Sequence, residues 1–333
     1  MYTLYIYRYK YTNIACFLIL VLNMNYVYLK GRKIAKTTRR TVIGVEPDRI
    51  SCLPSHVIDH ILSYLPIREA VRTSILSSEW RNNWHTLPNL VFDINCVSNI
   101  EAIKDPSIFI NKLLRIVDHV LRLHSGSINK FQLSDPGCDL IGVNSVADIE
   151  RWILHLKEKS MKEFVLQIFV EEKYYRRPLF ERYKIPQCLF SCPSLHHLKL
   201  YCCCIQPPTT FKGFKNLKSL ELFQVTMAQD AFENLISGCH LLEDLKLIYL
   251  DCLTQLNINA PNLKKFLIFG NFVNFSFDNT FQLTEVSFFF HSQRNQTQLR
   301  GCSSNLKRFF DHLPHVQSLD ISSQLLKVKY SNI

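Results

Sequence analysis

Apolar residues recur in a fixed template through most of the chain after residue 125. One apolar residue is followed by others three and five positions later, and most residues between them are polar. Alternation of this kind predicts one short, half-buried strand in each unit. The eight matches begin with Ile128/Phe131/Leu133, Met161/Phe164/Leu166, Leu195/Leu198/Leu200 and Leu217/Leu220/Leu222, and end with Leu242/Leu245/Leu247, Leu263/Phe266/Ile268, Leu283/Val286/Phe288 and Val316/Leu319/Ile321.

The matches are separated by return segments of variable length. Successive first members lie 33, 34, 22, 25, 21, 20 and 33 residues apart. Residues 146–156 favour a helix, since Ile149, Trp152, Ile153 and Leu156 fall on one face. Units of this length predict an array in which each unit buries its apolar side against its neighbours.

Two further matches halve the repeat period locally. They are Leu253/Leu256/Ile258 and Phe272/Phe275/Phe277. They indicate either second strands on another face of the array or chance spacing in an aromatic-rich stretch.

A different pattern occupies residues 48–84, where prolines and serines divide the chain into three short helical pieces. Pro54 begins the first piece and Pro66 ends it, because proline disfavours helix at the preceding residue and suits the start of the next one. In the third piece Trp80 and Trp84 lie four residues apart on one face. The apolar stripes of the first two pieces are Val57, Ile58, Ile61, Leu62 and Leu65, then Ala70, Val71 and Ile75. Because so small a unit cannot bury these stripes alone, we expect a partner or the rest of the chain to cover them.

The order of motifs in this segment resembles the plant F-box. The motifs are Leu53-Pro54, Leu65-Pro66, the Leu76-Ser77 step, W-R-N-x-W from Trp80 to Trp84, and LPNLVFD at 87–93. The resemblance implies a helical F-box that docks on a Skp-type adaptor, which joins a cullin scaffold in an SCF ubiquitin ligase. The alternative is a helical cap without a partner. The implied adaptor-binding residues are Leu53, Pro54, Ile58, Ile61, Leu62, Leu65 and Pro66.

The repeats resemble those of plant F-box/FBD/LRR-repeat proteins. The phrases that carry the resemblance are CPSLHHLKL (192–200), FKGFKNLKSLELFQVTM (211–227) and APNLKKFLIFG (260–270). The implied fold class is α+β, with a three-helix F-box followed by an irregular leucine-rich-repeat α/β solenoid. The C-terminal FBD segment of such proteins is expected to be missing here. The predicted domains are a disordered extension (1–45), the F-box (46–93), a helical linker (94–126) and the repeats (127–330).

The resemblance also assigns roles to positions within each repeat. The leucine-rich consensus turns an Asn or Cys inward three residues after the third apolar position, where Cys203 and Asn271 fall. Residues between the repeat leucines are expected to face solvent. Both charge signs occur there, so they name no ligand class, and some are expected to pair across adjacent strands. The candidate substrate face is His196, His197, Lys199, Lys218, Glu221, Glu243, Lys246, Lys264 and Lys265.

The net charge of +11 is concentrated near the amino terminus. Residues 1–45 hold eight Lys or Arg and no acid, which leaves 31 basic against 28 acidic residues in the remainder. The nearly balanced remainder gives little support to nucleic-acid binding. The basic stretch at 30–40 favours a solvated linker over a nuclear signal.

The apolar run Ile14–Leu22 is nine residues long, well short of the roughly twenty that span a bilayer. No small-x-small cleavage site follows it, so a secretory signal is also disfavoured. We expect neither an anchor nor membrane association, and Met24 is an alternative start. A membrane-anchored or secreted leucine-rich-repeat binding protein remains a rival interpretation. The features that favour this rival are the apolar run, the twelve cysteines and the sequons at Asn274 and Asn295.

Catalytic motifs are lacking in the sequence. No phosphate-binding glycine loop, zinc-protease helix or serine-nucleophile elbow occurs, so neither enzymatic activity nor a cofactor is expected. The cysteines lack paired zinc-ligand spacing and fit reduced thiols in the cytosol or nucleus. The sequence therefore predicts a non-catalytic, substrate-recruiting F-box subunit of an SCF-type ubiquitin ligase, located in the nucleus or cytoplasm. A truncated, inactive relative is a further alternative.

Overall fold

The chain divides after Leu87 into two units, which are described separately. The computed structural model describes residues 53–78, 80–97, 106–134, 146–168, 182–251, 253, 255–270, 274–289 and 315–321. Helices and strands are mixed within these residues, in agreement with an α+β class. The amino-terminal extension and Asn271 lie outside the described residues, as do the predicted strand position Phe272 and the sequon residue Asn295.

Short helices form the described part of the first unit. They are α1 (Ser55–Ser63), α2 (Ile67–Arg72) and two 3-10 helices, Thr73–Ile75 and Asn83–Thr86. Pro54 and Pro66 precede α1 and α2 in an extended conformation, with ψ of 145° and 144°. Each proline carbonyl accepts a backbone hydrogen bond from the first turn of its helix. The prolines therefore begin these helices as the sequence predicted, although α1 ends two residues before Leu65.

The third predicted helical piece is not an α-helix in the described residues. Turns lead into the 3-10 helix Asn83–Thr86 instead. The hydroxyl of Ser74 donates to the carbonyl of Arg81 at 2.9 Å, so this carbonyl has a side-chain partner within the turns. The structure thus corrects the three-helix prediction, although Trp80 and Trp84 are both buried.

A parallel sheet dominates the second unit. In chain order the described strands are β1 (Asn89–Phe92), β2 (Lys130–Ser134), β3 (Glu163–Gln167), β4 (Tyr183–Lys184), β5 (His197–Tyr201), β6 (Cys203–Cys204), β7 (Ser219–Phe223), β8 (Asp244–Ile248), β9 (Gln255–Asn259), β10 (Lys265–Phe269), β11 (Asn274–Asp278), β12 (Glu285–Phe289) and β13 (Ser318–Ile321). Among them, nine pair in one sheet in the order β1-β2-β3-β5-β7-β8-β10-β12-β13.

The apolar template sets the register of this sheet. All eight predicted matches coincide with strands, and their second and third members align in two continuous rows across neighbouring strands. Leu198, Leu220 and Leu245, for example, are adjacent in one row and almost fully buried. Residues alternate across a strand, so the positions between these rows face the other side of the sheet.

A repeated backbone contact aligns the beginnings of the strands. In each repeat, one carbonyl accepts N–H bonds from two residues of the next repeat. It belongs to the residue two positions before the second apolar residue of the template. The His196 carbonyl, for example, accepts from Lys218 and Ser219 at 2.8 and 3.1 Å. The same arrangement recurs along the sheet, from the carbonyl of Pro88 before β1 to that of Thr284 before β12. It satisfies backbone groups that would otherwise be unpaired at each turn.

Helices and short sheets fill the return segments. The helices are α3 (Pro106–Leu123), α4 (Val146–Glu158), α5 (Gln229–Ser237) and two 3-10 helices, Ile94–Cys96 and Gln187–Ser191. Strands β9 and β11 pair in parallel as a separate two-stranded sheet, and β4 pairs with β6 in another. Of the two interpretations of the extra template matches, second strands on another face are therefore correct for Leu256/Ile258 and Phe275/Phe277.

The sheet begins earlier in the chain than predicted. Strand β1 lies inside residues 87–93, which were assigned to the exit of the F-box, and it pairs with β2. The segment 94–126, predicted as a helical linker, contains α3 and connects these two strands. Leu87, Leu90 and Phe92 have the same template spacing as the later repeats and are all buried. The template spacing is thus present at residues 87–92, but these residues were assigned to the F-box motif that ends there.

Polar side chains tie successive repeats together at the turn before each strand. The amide of Asn216 donates to the carbonyl of Pro193 at 2.8 Å, and that of Asn262 donates to the carbonyl of His240 at 2.7 Å. Both asparagines directly precede the first leucine of their template. Each amide therefore links its repeat to the preceding one across the turn.

Asn216→Ala should destabilise the second unit by about 1 kcal/mol, the usual net contribution of one hydrogen bond. Urea unfolding, followed by circular dichroism, measures the change. Asn216→Asp, which keeps the shape but removes the donor, should have a similar effect. The neighbouring exposed Lys215→Ala is the control and should unfold like the parent. Equal stability of all four proteins would show that this tie contributes nothing.

Candidate functional site

The structure separates the predicted adaptor-binding residues into two groups. Ile58 and Leu62 are 2% and 0% exposed, so they belong to the core. Helix α1 packs against the 3-10 helix Asn83–Thr86 within the first unit. The accessible members of the set are Pro54 and Pro66, which are exposed, and Leu53, Ile61 and Leu65, which are half-buried.

Two exposed apolar residues near this set were missed as contact candidates. Ile75 is 75% exposed, and Tyr64 is 45% exposed. The sequence pattern placed Ile75 on the same buried stripe as Ala70, but a change to a 3-10 helix at Thr73–Ile75 ends the α-helical spacing. An isoleucine this exposed is apolar surface available to a partner.

The predicted substrate-face residues occupy one side of the sheet and its leading edge. His197, Lys199, Glu221, Lys246 and Lys265 lie on strands, at positions that alternate with the buried rows. The others directly precede strands, at the turn where the repeats are tied. They are His196, Lys218, Glu243 and Lys264.

The charged residues at the leading edge pair with one another across repeats. Glu243 lies 2.9 Å from Lys264 and 3.7 Å from Lys218. The hydrogen bond from Lys264 is the main cause that lowers the pKa of Glu243. The predicted cross-strand pairing thus occurs here. Exposed pairs of this kind contribute little to stability.

The charges on the strands themselves are also paired. Glu221 lies 3.7 Å from Lys199 and 4.0 Å from Lys246, and Lys246 is 3.7 Å from Asp244. On the next two strands, Lys265 and Glu285 approach to 2.8 Å. This side of the sheet therefore carries equal numbers of opposite charges over these strands.

His196 has a local structural role. Its Nδ1 atom lies 2.6 Å from the carbonyl oxygen of Ser194, two residues earlier. The Ser194 hydroxyl in turn donates to the carbonyl of Met161 at 2.7 Å. This histidine is half-buried and forms part of the turn that begins the repeat, whereas His197 is exposed.

A line of aromatic rings crosses the same side of the sheet at the trailing ends of the strands. Tyr201 stacks on Phe223 with ring centroids 5.4 Å apart, and Phe269 stacks on Phe289 at 6.1 Å. Tyr249 lies between the two pairs, 6.4 Å from Phe223 and 4.7 Å from Phe269. We call these five residues the aromatic row. Sequence reasoning missed it, although an aromatic residue directly follows the third template position in four repeats.

The cysteines in the described residues fit structural roles. Cys203 is fully buried on β6, which agrees with the inward consensus position, and burial raises the pKa of its thiol well above the ordinary value. Burial also raises the pKa of Cys192 to about 11. Within the part of the chain that the structure describes, no cluster of His, Cys, Asp or Glu has a metal-binding arrangement. The same residues also include no helix with the length and apolar character needed to cross a membrane.

Comparisons with known proteins identify both units. Residues 149–329 match the family described as FBD-associated F-box protein At5g56370, LRR repeats. Residues 50–92 match the F-box domain. The chain belongs to the plant F-box/LRR-repeat family. The F-box match ends at the last residue of β1, so this strand belongs both to the F-box sequence pattern and to the sheet.

Curated relatives within this F-box/LRR-repeat family come from Arabidopsis thaliana. The F-box/FBD/LRR-repeat protein At1g13570 is 40% identical over 278 residues, which is 83% of this chain and 62% of that protein. The putative F-box/LRR-repeat protein At3g49150 is 31% identical over 236 residues, or 67% of this chain and 34% of that protein. The F-box/LRR-repeat protein At3g59200 is 32% identical over 212 residues. The chain spans less than two thirds of the length of each of these relatives.

Proposed function

We propose that this protein is a non-catalytic, substrate-recruiting subunit of an SCF-type ubiquitin ligase. The first unit binds a Skp-type adaptor and, through it, a cullin scaffold. The second unit forms a leucine-rich-repeat solenoid whose exposed sheet face binds a protein substrate. The protein acts in the nucleus or cytoplasm, without a cofactor, and neither nucleic acid nor a membrane is its partner.

The observation that carries this proposal is the F-box match at residues 50–92, joined to repeats that match 149–329. The accessible apolar residues of the first unit support an adaptor contact, because exposed apolar surface at helix starts suits docking against a partner's groove. The contact we propose comprises Leu53, Pro54, Ile61, Leu65, Pro66 and Ile75. Ile58 and Leu62 support it from within, since they hold α1 in place.

Leu53→Ala combined with Pro54→Ala should weaken binding to a recombinant plant Skp-type adaptor by about 30-fold, equivalent to about 2 kcal/mol. Pro54 is exposed and begins α1, and Leu53 beside it is half-buried. The double substitution therefore removes apolar contact area without a cavity in the core. Surface plasmon resonance on the full chain measures the change, and Ile75→Ser should also weaken binding.

His56→Ala provides a matched control, because His56 is exposed on the same helix and is not in the proposed contact. It should bind the adaptor like the parent. All variants are compared by thermal melting to verify that they are folded. A folded double variant with parental adaptor affinity would refute the proposed contact, and a parent that binds no adaptor would refute the function.

A further inference from the structure

The aromatic row adds apolar surface to the exposed sheet face beside the paired charges, and the Tyr201 hydroxyl donates to the Glu221 carboxylate. Each of its five rings is half-buried, and the rings succeed one another across strands β5, β7, β8, β10 and β12. Neighbouring strands lie about 4.8 Å apart, so the row is roughly 19 Å long. Aromatic rings in such a line offer large apolar contact area that loses little conformational entropy on binding.

At β8 the ring of the row comes from the residue that directly follows the strand. On β8 the residue in register with Phe223 and Phe269 is Ile248. The next residue, Tyr249, adopts φ 52°, the left-handed conformation that Cys202 and Gln224 also adopt directly after β5 and β7. Its N–H donates to the Phe269 carbonyl at 2.6 Å, as the N–H of Cys202 does to Phe223 and that of Gln224 to Ile248, so this turn is a feature shared by the repeats. The ring of Tyr249 thereby bridges the gap between the two stacked pairs.

The charges beside the row determine what it can attract. On the outward positions of these five strands there are three cations and three carboxylates. They are Lys199, Lys246, Lys265, Glu221, Asp244 and Glu285. Each lies within 4.0 Å of an opposite charge on this face. A charged ligand would have to compete with these pairs and would meet no excess of either sign.

We propose that the aromatic row binds an extended, uncharged peptide segment of the substrate, with aromatic or aliphatic side chains. A length of roughly 19 Å accommodates about six residues at 3.3 Å per residue. The proposal rests on the proposed function, since it assumes that this face recruits a protein. It assigns specificity to the aromatic row, whereas the charged residues of the candidate substrate face keep the repeats paired with one another.

A random heptapeptide library displayed on phage tests the specificity directly. Selection on the immobilised full chain should enrich uncharged peptides with two or more aromatic or branched aliphatic residues. A synthetic peptide of the selected consensus is then titrated by fluorescence anisotropy. Phe223→Ser combined with Phe269→Ser should weaken its binding by roughly tenfold or more. Raising NaCl from about 0.1 to 0.5 M should change the affinity little, because no ion pair is formed.

Two matched variants complete the design. Phe223→Leu combined with Phe269→Leu retains apolar area and should keep most of the affinity, which separates contact from folding. Lys199→Gln combined with Lys246→Gln removes the neighbouring cations and should leave the affinity within about twofold. Thermal melting is measured for each protein.

Three results would overturn the inference: selection of charged peptides, selection of no peptide above background, or a larger loss from the lysine variants than from the serine variants. Adaptor binding is measured on the same preparations. Intact adaptor binding with any of these results refutes the aromatic row as the peptide contact but not the proposed function. Loss of adaptor binding by the parent refutes the proposed function instead.

Discussion

Leu220→Asp is expected to abolish the cooperative unfolding transition of the second unit. Leu220 is fully buried on β7, in register with Leu198 on one neighbouring strand and Leu245 on the other. Truncation of such a leucine to alanine costs about 2–5 kcal/mol. An aspartate adds the cost of a buried charge without a partner, which places the change at or above about 5 kcal/mol. Differential scanning calorimetry of the full chain measures the transition.

Two comparisons make this result specific to the register. Leu220→Ala should retain a cooperative transition at a lower temperature. Lys218→Gln, two residues earlier and exposed, loses only an ion pair with Glu243 at 3.7 Å and should melt within about 2 °C of the parent. If Lys218→Gln destabilised the protein as much as Leu220→Asp, the assignment of inward and outward positions would be wrong.

The strands were predictable because each repeat contains the complete apolar spacing of a half-buried strand. Three apolar residues at fixed spacing determine which side of a strand is buried, and a shift by one residue would expose all of them. The eight predicted strands therefore coincide with the structure, from Phe131 on β2 to Leu319 on β13. Leu319 is nevertheless 45% exposed, since it lies on the last described strand of the sheet. The first strand was missed because a second motif, the F-box, ends on the same residues.

The candidate surfaces were less predictable, because exposure depends on packing between elements. A helical stripe indicates which residues share a face, but it does not indicate which of them the protein itself covers. Ile58 and Ile75 illustrate this: both were placed on apolar stripes, and one is 2% and the other 75% exposed. The aromatic row was missed for a related reason. Its residues follow the template instead of belonging to it, and only the register brings Phe223 and Phe269 onto one line.

Close contact between two backbone segments leads to the remaining prediction with a large effect. Gly213 and Gly238 touch each other. A Cβ atom at position 238 would lie 2.1 Å from the carbonyl oxygen of Lys212, and one at 213 would lie 2.2 Å from the carbonyl carbon of Gly238. Separations this short require movement of the backbone. The contact fixes the end of α5 against the preceding loop, where Phe214 N–H also donates to the sulfur of Cys239 at 3.3 Å.

Gly238→Ala should therefore destabilise the second unit by about 3 kcal/mol, the upper end of the cost of overpacking, and lower its Tm by roughly 6 °C or more. The φ of Gly238 is −84°, which alanine adopts readily, so the loss comes from lack of space alone. Gly213→Ala should cost at least as much, because its φ of +86° adds backbone strain to the same contact. Ser237→Ala, at the exposed neighbouring position, should melt like the parent. A Gly238→Ala protein with parental Tm would show that the two segments can separate at little cost, and that this contact does not fix α5.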